Sequence, residues 1–179
     1  MMLEQMNKPH AIIVMGVSGC GKSSVGEKLA EVLHLAFVEG DALHPAANVE
    51  KMSKGIPLTD EDRMPWLDRI GEDMKASLEK SEGIIVSCSA LKRIYRDRLR
   101  SAVDGNLFFV YLEGSKALLM KRMGERKGHF MPASLLESQL ATLEPPTGEP
   151  GVVAVDIDDT IEGIAATALK SLAALGITG

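Results

Sequence analysis

The chain has 179 residues, 45% of them hydrophobic and 25% charged, with a formal charge of −5. That length predicts one domain, 1–179, able to bury its own core, and the composition is that of a soluble globular protein. The negative balance excludes a general nucleic-acid surface, and no apolar run reaches the length of a membrane span.

Met1 to Pro9 is polar and lacks the apolar centre of a signal peptide, which predicts a cytoplasmic protein. The first strand candidate is Ala11–Met15. It runs into Gly16, Val17, Ser18, Gly19, Cys20, Gly21, Lys22 and Ser23, which fit G-x-x-x-x-G-K-[ST] at every required position. From Ser24 to Leu33, Val25, Leu29, Val32 and Leu33 recur at helical spacing. Strand, glycine-rich turn and helix is the context a phosphate-binding loop demands. The turn converges backbone N–H groups on phosphate oxygens, and the helix N-terminus adds partial positive charge. A nucleoside triphosphate and Mg²⁺ are therefore expected, with Gly16 to Ser24 as the nucleotide-binding residues. Lys22 is expected at the β- and γ-phosphates and the Ser23 hydroxyl at the metal.

A second strand, Ala36–Val38, leads into Glu39-Gly40-Asp41-Ala42-Leu43-His44-Pro45. Two carboxylates flanking a glycine at a strand's end can face one phosphate site. Asp41 is assigned to orient or deprotonate the acceptor hydroxyl, and Glu39 to hold Mg²⁺ through water. Both also read as solvated loop acids or helix caps, and His44 reads equally as an acceptor contact or as the start of a helix at Pro45. Residues about 41 to 80 exceed what one crossover helix needs and form a first insertion. Within it Thr59 or Asp62 caps a helix with Pro65 near its first turn, Trp66 reads as core, and Arg63 is a salt-bridge partner or an acceptor ligand.

The third strand, Ile84–Val86, ends without the carboxylate that closes such strands in many nucleotide-binding proteins. After it, Lys92 and Arg96 share a helix face and read as acceptor contacts, against the alternative of a solvated basic face. Cys20 and Cys88 make no disulfide framework. They read as two small part-buried residues or as an oxidation-sensitive pair near the nucleotide. A fourth strand, Leu107–Leu112, precedes a second insertion at about 121 to 150. There Arg122 and Arg126 lie one turn apart, and one of them is placed to close over the triphosphate and stabilise its developing charge, unless the run is an exposed basic turn. Val152–Val155 is the last strand, and Ile161, Ile164, Ala165, Ala168, Leu169 and Leu172 trace one face of a final helix. Strands alternating with helices predict an α/β fold, a parallel sheet between two helical layers, with ligands at the carboxyl ends of the strands.

Taken together, the phosphate loop, Glu39-Gly40-Asp41-Ala42-Leu43-His44-Pro45, Gly55 to Arg63, Pro65-Trp66-Leu67, Cys88-Ser89-Ala90-Leu91-Lys92, Tyr95-Arg96-Asp97 and Arg126-Lys127-Gly128-His129-Phe130 resemble the gluconokinases. The resemblance spans nearly the whole chain. It implies a nucleoside-monophosphate-kinase-like fold with five parallel strands, an acceptor-binding insertion and a lid. The implied reaction is ATP-dependent phosphorylation of D-gluconate at its 6-hydroxyl, in a protein that is commonly a homodimer. By the same likeness Asp41 faces the hydroxyl, while His44, Arg63, Lys92 and Arg96 are candidates around the sugar acid; His129, after Gly128, reads as part of a hinge or anchoring turn and is a further candidate at the acceptor. Glu39 departs from the family, where aspartate is frequent at this position. A shikimate- or nucleotide-kinase relative would share the loop but not the Asp-x-x-His-Pro and Lys-Gly-His-Phe elements together. A nucleotide switch would need a guanine-reading Asn/Thr-Lys-x-Asp element, and the Asn7-Lys8 pair lacks its aspartate.

Overall fold

Five parallel strands form one sheet in the order β2-β3-β1-β4-β5: β1 (Ala11–Met15), β2 (Ala36–Glu39), β3 (Ile84–Ser87), β4 (Leu107–Glu113) and β5 (Val152–Asp156). The computed structural model describes residues 9–125 and 133–177. Seven α-helices connect or flank the strands: α1 (Lys22–Leu33), α2 (Ala46–Ser53), α3 (Asp60–Glu79), α4 (Arg93–Ala102), α5 (Lys116–Glu125), α6 (Ala133–Thr142) and α7 (Ile161–Ala174). No helix among the described residues is long and apolar enough to cross a membrane.

β1 is central and all five of its residues are buried, which is why it reads as a continuous apolar run rather than an alternating one. Its alternate side chains feed two cores. Ile12 and Val14 pack with Val25 and Leu29 of α1 and Ile164, Ala168 and Leu172 of α7. Ala11, Ile13 and Met15 pack with Trp66, Ile70 and Met74 of α3 and Tyr95 and Leu99 of α4.

The strands β2 to β5 each run one residue past the apolar segment that announces them. The added residues are Glu39, Ser87, Glu113 and Asp156. Each is polar because the carboxyl edge of the sheet borders a cleft, yet each still pairs, Glu39 with Ser87 and Glu113 with Asp156. In α1 the expected buried Val32 is 43% exposed, and Gly26 and Ala30 take the inner face instead. A Cβ on Gly26 would lie 2.6 Å from the Phe37 ring, so helix and strand approach too closely for a larger residue.

Thr59 caps α3 in a full capping box with Asp62, as the spacing predicts. Pro65 sits deeper than expected, inside the helix rather than in its first turn. The apolar face expected of the last helix is present in α7, where Ile164, Ala165, Ala168 and Leu172 are buried and Ile161 and Leu169 pack beside them. Arg126 and His129 lie outside the described residues.

Candidate active site

β1 delivers the phosphate loop to the centre of the sheet's carboxyl edge. Gly21 is the N-cap of α1 at φ 90°, and no side chain caps this helix end. Its first N–H groups are thereby directed at the cleft in front of the loop. Gly16 admits no side chain, since a Cβ there would lie 2.8 Å from Cys20 Sγ and 3.0 Å from the Leu112 carbonyl. Val17 and Cys20 point their side chains into the core, so any contact they make with a ligand is through backbone. Lys22 Nζ donates to the Val17 carbonyl at 3.2 Å, folded back across the loop.

Facing the loop is the end of β2. Ser23 Oγ donates to Glu39 Oε2 at 2.5 Å, and Ser87 Oγ donates to Glu39 Oε1 at 2.6 Å. The carboxylate absent from β3 is thus supplied by its neighbour β2, oriented by the serine that ends β3. Ser87 is fully buried and carries this role unnoticed in the sequence, where it reads as the tail of an apolar strand. The juxtaposition depends on Gly40, whose hypothetical Cβ would stand 2.0 Å from the Ser87 carbonyl oxygen. A hydroxyl and a carboxylate beside a phosphate loop are hard oxygen donors of the kind Mg²⁺ takes along with phosphate oxygens and water. Among the described residues no group of three or more His, Cys, Asp or Glu side chains stands ready to hold a metal by itself.

Two cavities open at this edge. The larger, about 700 Å³, is lined by loop residues including Lys22 and Ser23, by Glu39 and Asp41, and by Arg122, Asp159 and Thr160. The other, about 380 Å³, reaches from Ser18, Lys22 and Asp41 past His44, Arg63, Trp66 and Ser89 to Gln139 and Thr142. Ser18, Lys22 and Asp41 line both, so the cavities meet there. Asp41 keeps accessible surface toward the cleft, but the surrounding walls desolvate its carboxyl and raise its pKa. Lys22 opposes that rise and Glu39 adds to it.

The second cavity is built by the first insertion. His44 stacks on Trp66 with ring centroids 4.0 Å apart and planes 17° from parallel. Trp66 is 1% exposed and donates its Nε1–H to the Gly40 carbonyl at 2.8 Å. Desolvation, with the nearby Arg63 charge adding to it, lowers the His44 pKa to about 4 and keeps the ring neutral. Arg63 Nη1 donates to the Leu58 carbonyl at 2.6 Å and to Tyr95 Oη at 3.1 Å.

Other predicted site residues are placed differently. Arg96 is not an acceptor contact. Its side chain is 0% exposed and paired to Glu149 at 2.7 Å, and it donates to the carbonyls of Ala90 and Glu144, both at 2.8 Å. It ties the loop after β3 to the turn before β5, and its position one helical turn from Lys92 misled because a full turn of α4 carries it into the interior. Lys92 does not line the cavity either; its ammonium pairs with Asp60 Oδ1 at 3.0 Å, and Tyr95 Oη donates to the same oxygen. Arg122 lines the larger cavity while donating to the carbonyls of Ile157 and Asp159. Cys20 and Cys88 are fully buried, and desolvation raises both thiol pKa values, which keeps them protonated.

Gln139 of α6 went unremarked in the sequence. Its Oε1 accepts the Ser18 backbone N–H of the phosphate loop at 2.7 Å, joining the second insertion to the loop. Glutamine in a mixed helix carries no local signal of such a contact.

Comparison with known proteins places this geometry among relatives. The family model described as "AAA domain" matches residues 12–146. A gluconokinase from Gluconobacter oxydans is 51% identical over 148 residues, 83% of each chain. A thermoresistant gluconokinase from Escherichia coli is 44% identical over 162 residues, covering 90% of this chain and 92% of its own. The crystal structure of a gluconokinase from Sinorhizobium meliloti superposes with a TM-score of 0.87 at 56% identity, covering 94% of both chains.

Proposed function

The chain belongs to the gluconokinase family, and on that premise we propose that it transfers the terminal phosphoryl group of ATP to the 6-hydroxyl of D-gluconate. The observation that carries the reading is the meeting of two cavities at Lys22 and Asp41. A phosphoryl group held by the loop and an acceptor held by the insertion would approach each other there. Such transfer asks the protein for position and charge neutralisation more than for covalent chemistry.

Lys22 and the α1 N-terminus cradle the phosphates, and Arg122 and Arg126 are assigned to the same charge from the second insertion. Ser23 and Glu39 would hold Mg²⁺, which when bound neutralises phosphate charge. Asp41 orients the acceptor hydroxyl and takes its proton, and its raised pKa brings it nearer the range in which a carboxylate acts as a base. Lys22 and Arg63 are the Lys and Arg side chains lining the acceptor cavity among the described residues. With Lys22 at the phosphates, Arg63 is assigned the gluconate carboxylate, through the guanidinium N–H groups that Leu58 and Tyr95 leave unused. His44 contacts a hydroxyl, and Lys92 acts from behind by anchoring Asp60 at the start of α3. His129 retains its assignment to the acceptor. We further propose a cytoplasmic protein of one domain per chain that forms a homodimer, and light scattering of the purified protein tests the dimer.

A coupled assay across gluconate, other aldonates, shikimate and nucleoside monophosphates tests the function. Gluconate is expected to give the highest kcat/KM, and preference for shikimate or AMP would overturn the assignment.

A further inference from the structure

Asn48 of α2 is 4% exposed and lies beneath the acceptor cavity. Its Nδ2 is 2.8 Å from the Asp62 backbone carbonyl and 3.2 Å from His44 Nδ1. A backbone carbonyl can only accept, so the nitrogen of the amide must be the atom facing it. The second hydrogen of the same NH₂ group then points at His44 Nδ1, which must accept. A neutral imidazole whose Nδ1 accepts carries its proton on Nε2.

Two further contacts hold the ring. The stack on Trp66 fixes its plane, and the Trp66 bond to the Gly40 carbonyl fixes Trp66. The charged groups around it favour the neutral form. Arg63 disfavours an imidazolium, and the Asp62 carboxylate is turned away to Lys51 and the Thr59 N–H. None of the described residues accepts a hydrogen bond from His44 Nε2, and His44 lines the acceptor cavity.

We propose that Asn48 is a positioning residue that locks His44 as a neutral Nε2–H donor, and that this donor reads the oxygen of one hydroxyl on the polyol acceptor. The proposal rests on the acceptor reading given above. A locked donor discriminates: the substrate oxygen has to accept, so its own hydrogen is sent toward another partner. An analogue lacking that hydroxyl leaves the Nε2–H unsatisfied.

The wild-type protein allows a direct test. Uniformly ¹⁵N-labelled protein near pH 7 is examined by two-bond ¹H–¹⁵N correlation, and His44 is identified among the four histidines by its loss in His44→Gln. The expected pattern is a protonated Nε2 and a bare Nδ1. A ring protonated at Nδ1, a cationic ring or a rapid average of tautomers would overturn the lock. In Asn48→Ala the pattern is expected to become a tautomer mixture. KM for gluconate should then rise about tenfold, the worth of one neutral hydrogen bond, with kcat and KM for ATP within about twofold. A folded Asn48→Ala protein with unchanged KM for gluconate would overturn the positioning role. Should that variant not fold, His44→Phe keeps the stack and removes the donor, whereas His44→Gln restores an N–H near Nε2. Phe is expected to raise KM about tenfold and Gln to recover most of it, and a Phe variant equal to wild type would overturn the contact. Wild-type protein that phosphorylates other acceptors but not gluconate would sink the acceptor reading separately, whatever the spectra show.

Discussion

Asp41 and Glu39 are two residues apart and have opposite surroundings. Glu39 accepts hydrogen bonds from the Ser23 and Ser87 hydroxyls, which fix its carboxylate at the end of β2. Asp41 is desolvated by the cleft walls and stands beside another carboxylate, which together raise its pKa against the opposing Lys22 charge. These surroundings separate the proposed roles, Glu39 held toward the metal by hydroxyl donors and Asp41 left toward proton transfer. Asp41→Asn keeps the shape and removes the base. Its kcat is expected to fall by about 10²- to 10⁴-fold with KM for ATP little changed, as steady-state kinetics would show. Retention of near-normal turnover would remove Asp41 from the chemistry.

At the scale of elements, the site depends on how closely strand ends and helices approach. Gly40 lets the end of β2 lie against the end of β3, and that contact brings Glu39 to Ser23. In Gly40→Ala the new methyl meets a backbone oxygen rather than a side chain that could swing away. A loss of about 3 kcal/mol in denaturant stability is expected, together with a large fall in kcat. The buried Arg96–Glu149 pair holds the loop after β3 to the turn before β5, with Arg100 also donating to Glu149 at 2.9 Å. Glu149→Gln leaves two guanidiniums without their carboxylate at a buried site and is expected to cost about 3 kcal/mol. Its KM for gluconate should stay within about twofold at a temperature where the variant is folded. A selective rise in that KM would return Arg96 to the acceptor site.

For the whole molecule, the acceptor cavity is also a store of pH-dependent stability. The folded-state pKa of His44 is about 4 against an ordinary 6.5, so the unfolded chain takes up a proton there that the folded chain refuses. The contribution is fully present above about pH 6.5 and is lost as pH falls from there toward about 4. Urea midpoints measured across that interval should decline in the wild type, and the decline should be shallower in His44→Gln. An identical decline in both proteins would assign the effect to other groups.

Much of this was legible before any coordinate. The phosphate loop, the five strands and the amphipathic face of α7 are local patterns, encoded by spacing within a few residues of one another. The strand limits fell one residue short because hydropathy stops at the first polar residue, whereas hydrogen bonding to a neighbour continues through Glu39 and Ser87. Arg96 departs from its expected place for a related reason. A helix face predicts which side chains share a direction, not whether that direction is solvent, cleft or interior, and Glu149 lies 53 residues away. Gln139 likewise reaches Ser18 across 121 residues of chain.

What the sequence determined by itself is therefore the chemistry on offer: a triphosphate cradle, carboxylates beside it, and an insertion carrying His44, Arg63 and Trp66. Only the tertiary structure decided which charges are left to act. Burial and pairing consume Arg96 and Lys92 in holding the frame, while Arg63, Asp41 and His44 remain directed at the cleft. The physical reason is that a side chain's function depends on its competing partners, and those partners are brought together by the sheet order rather than by proximity along the chain.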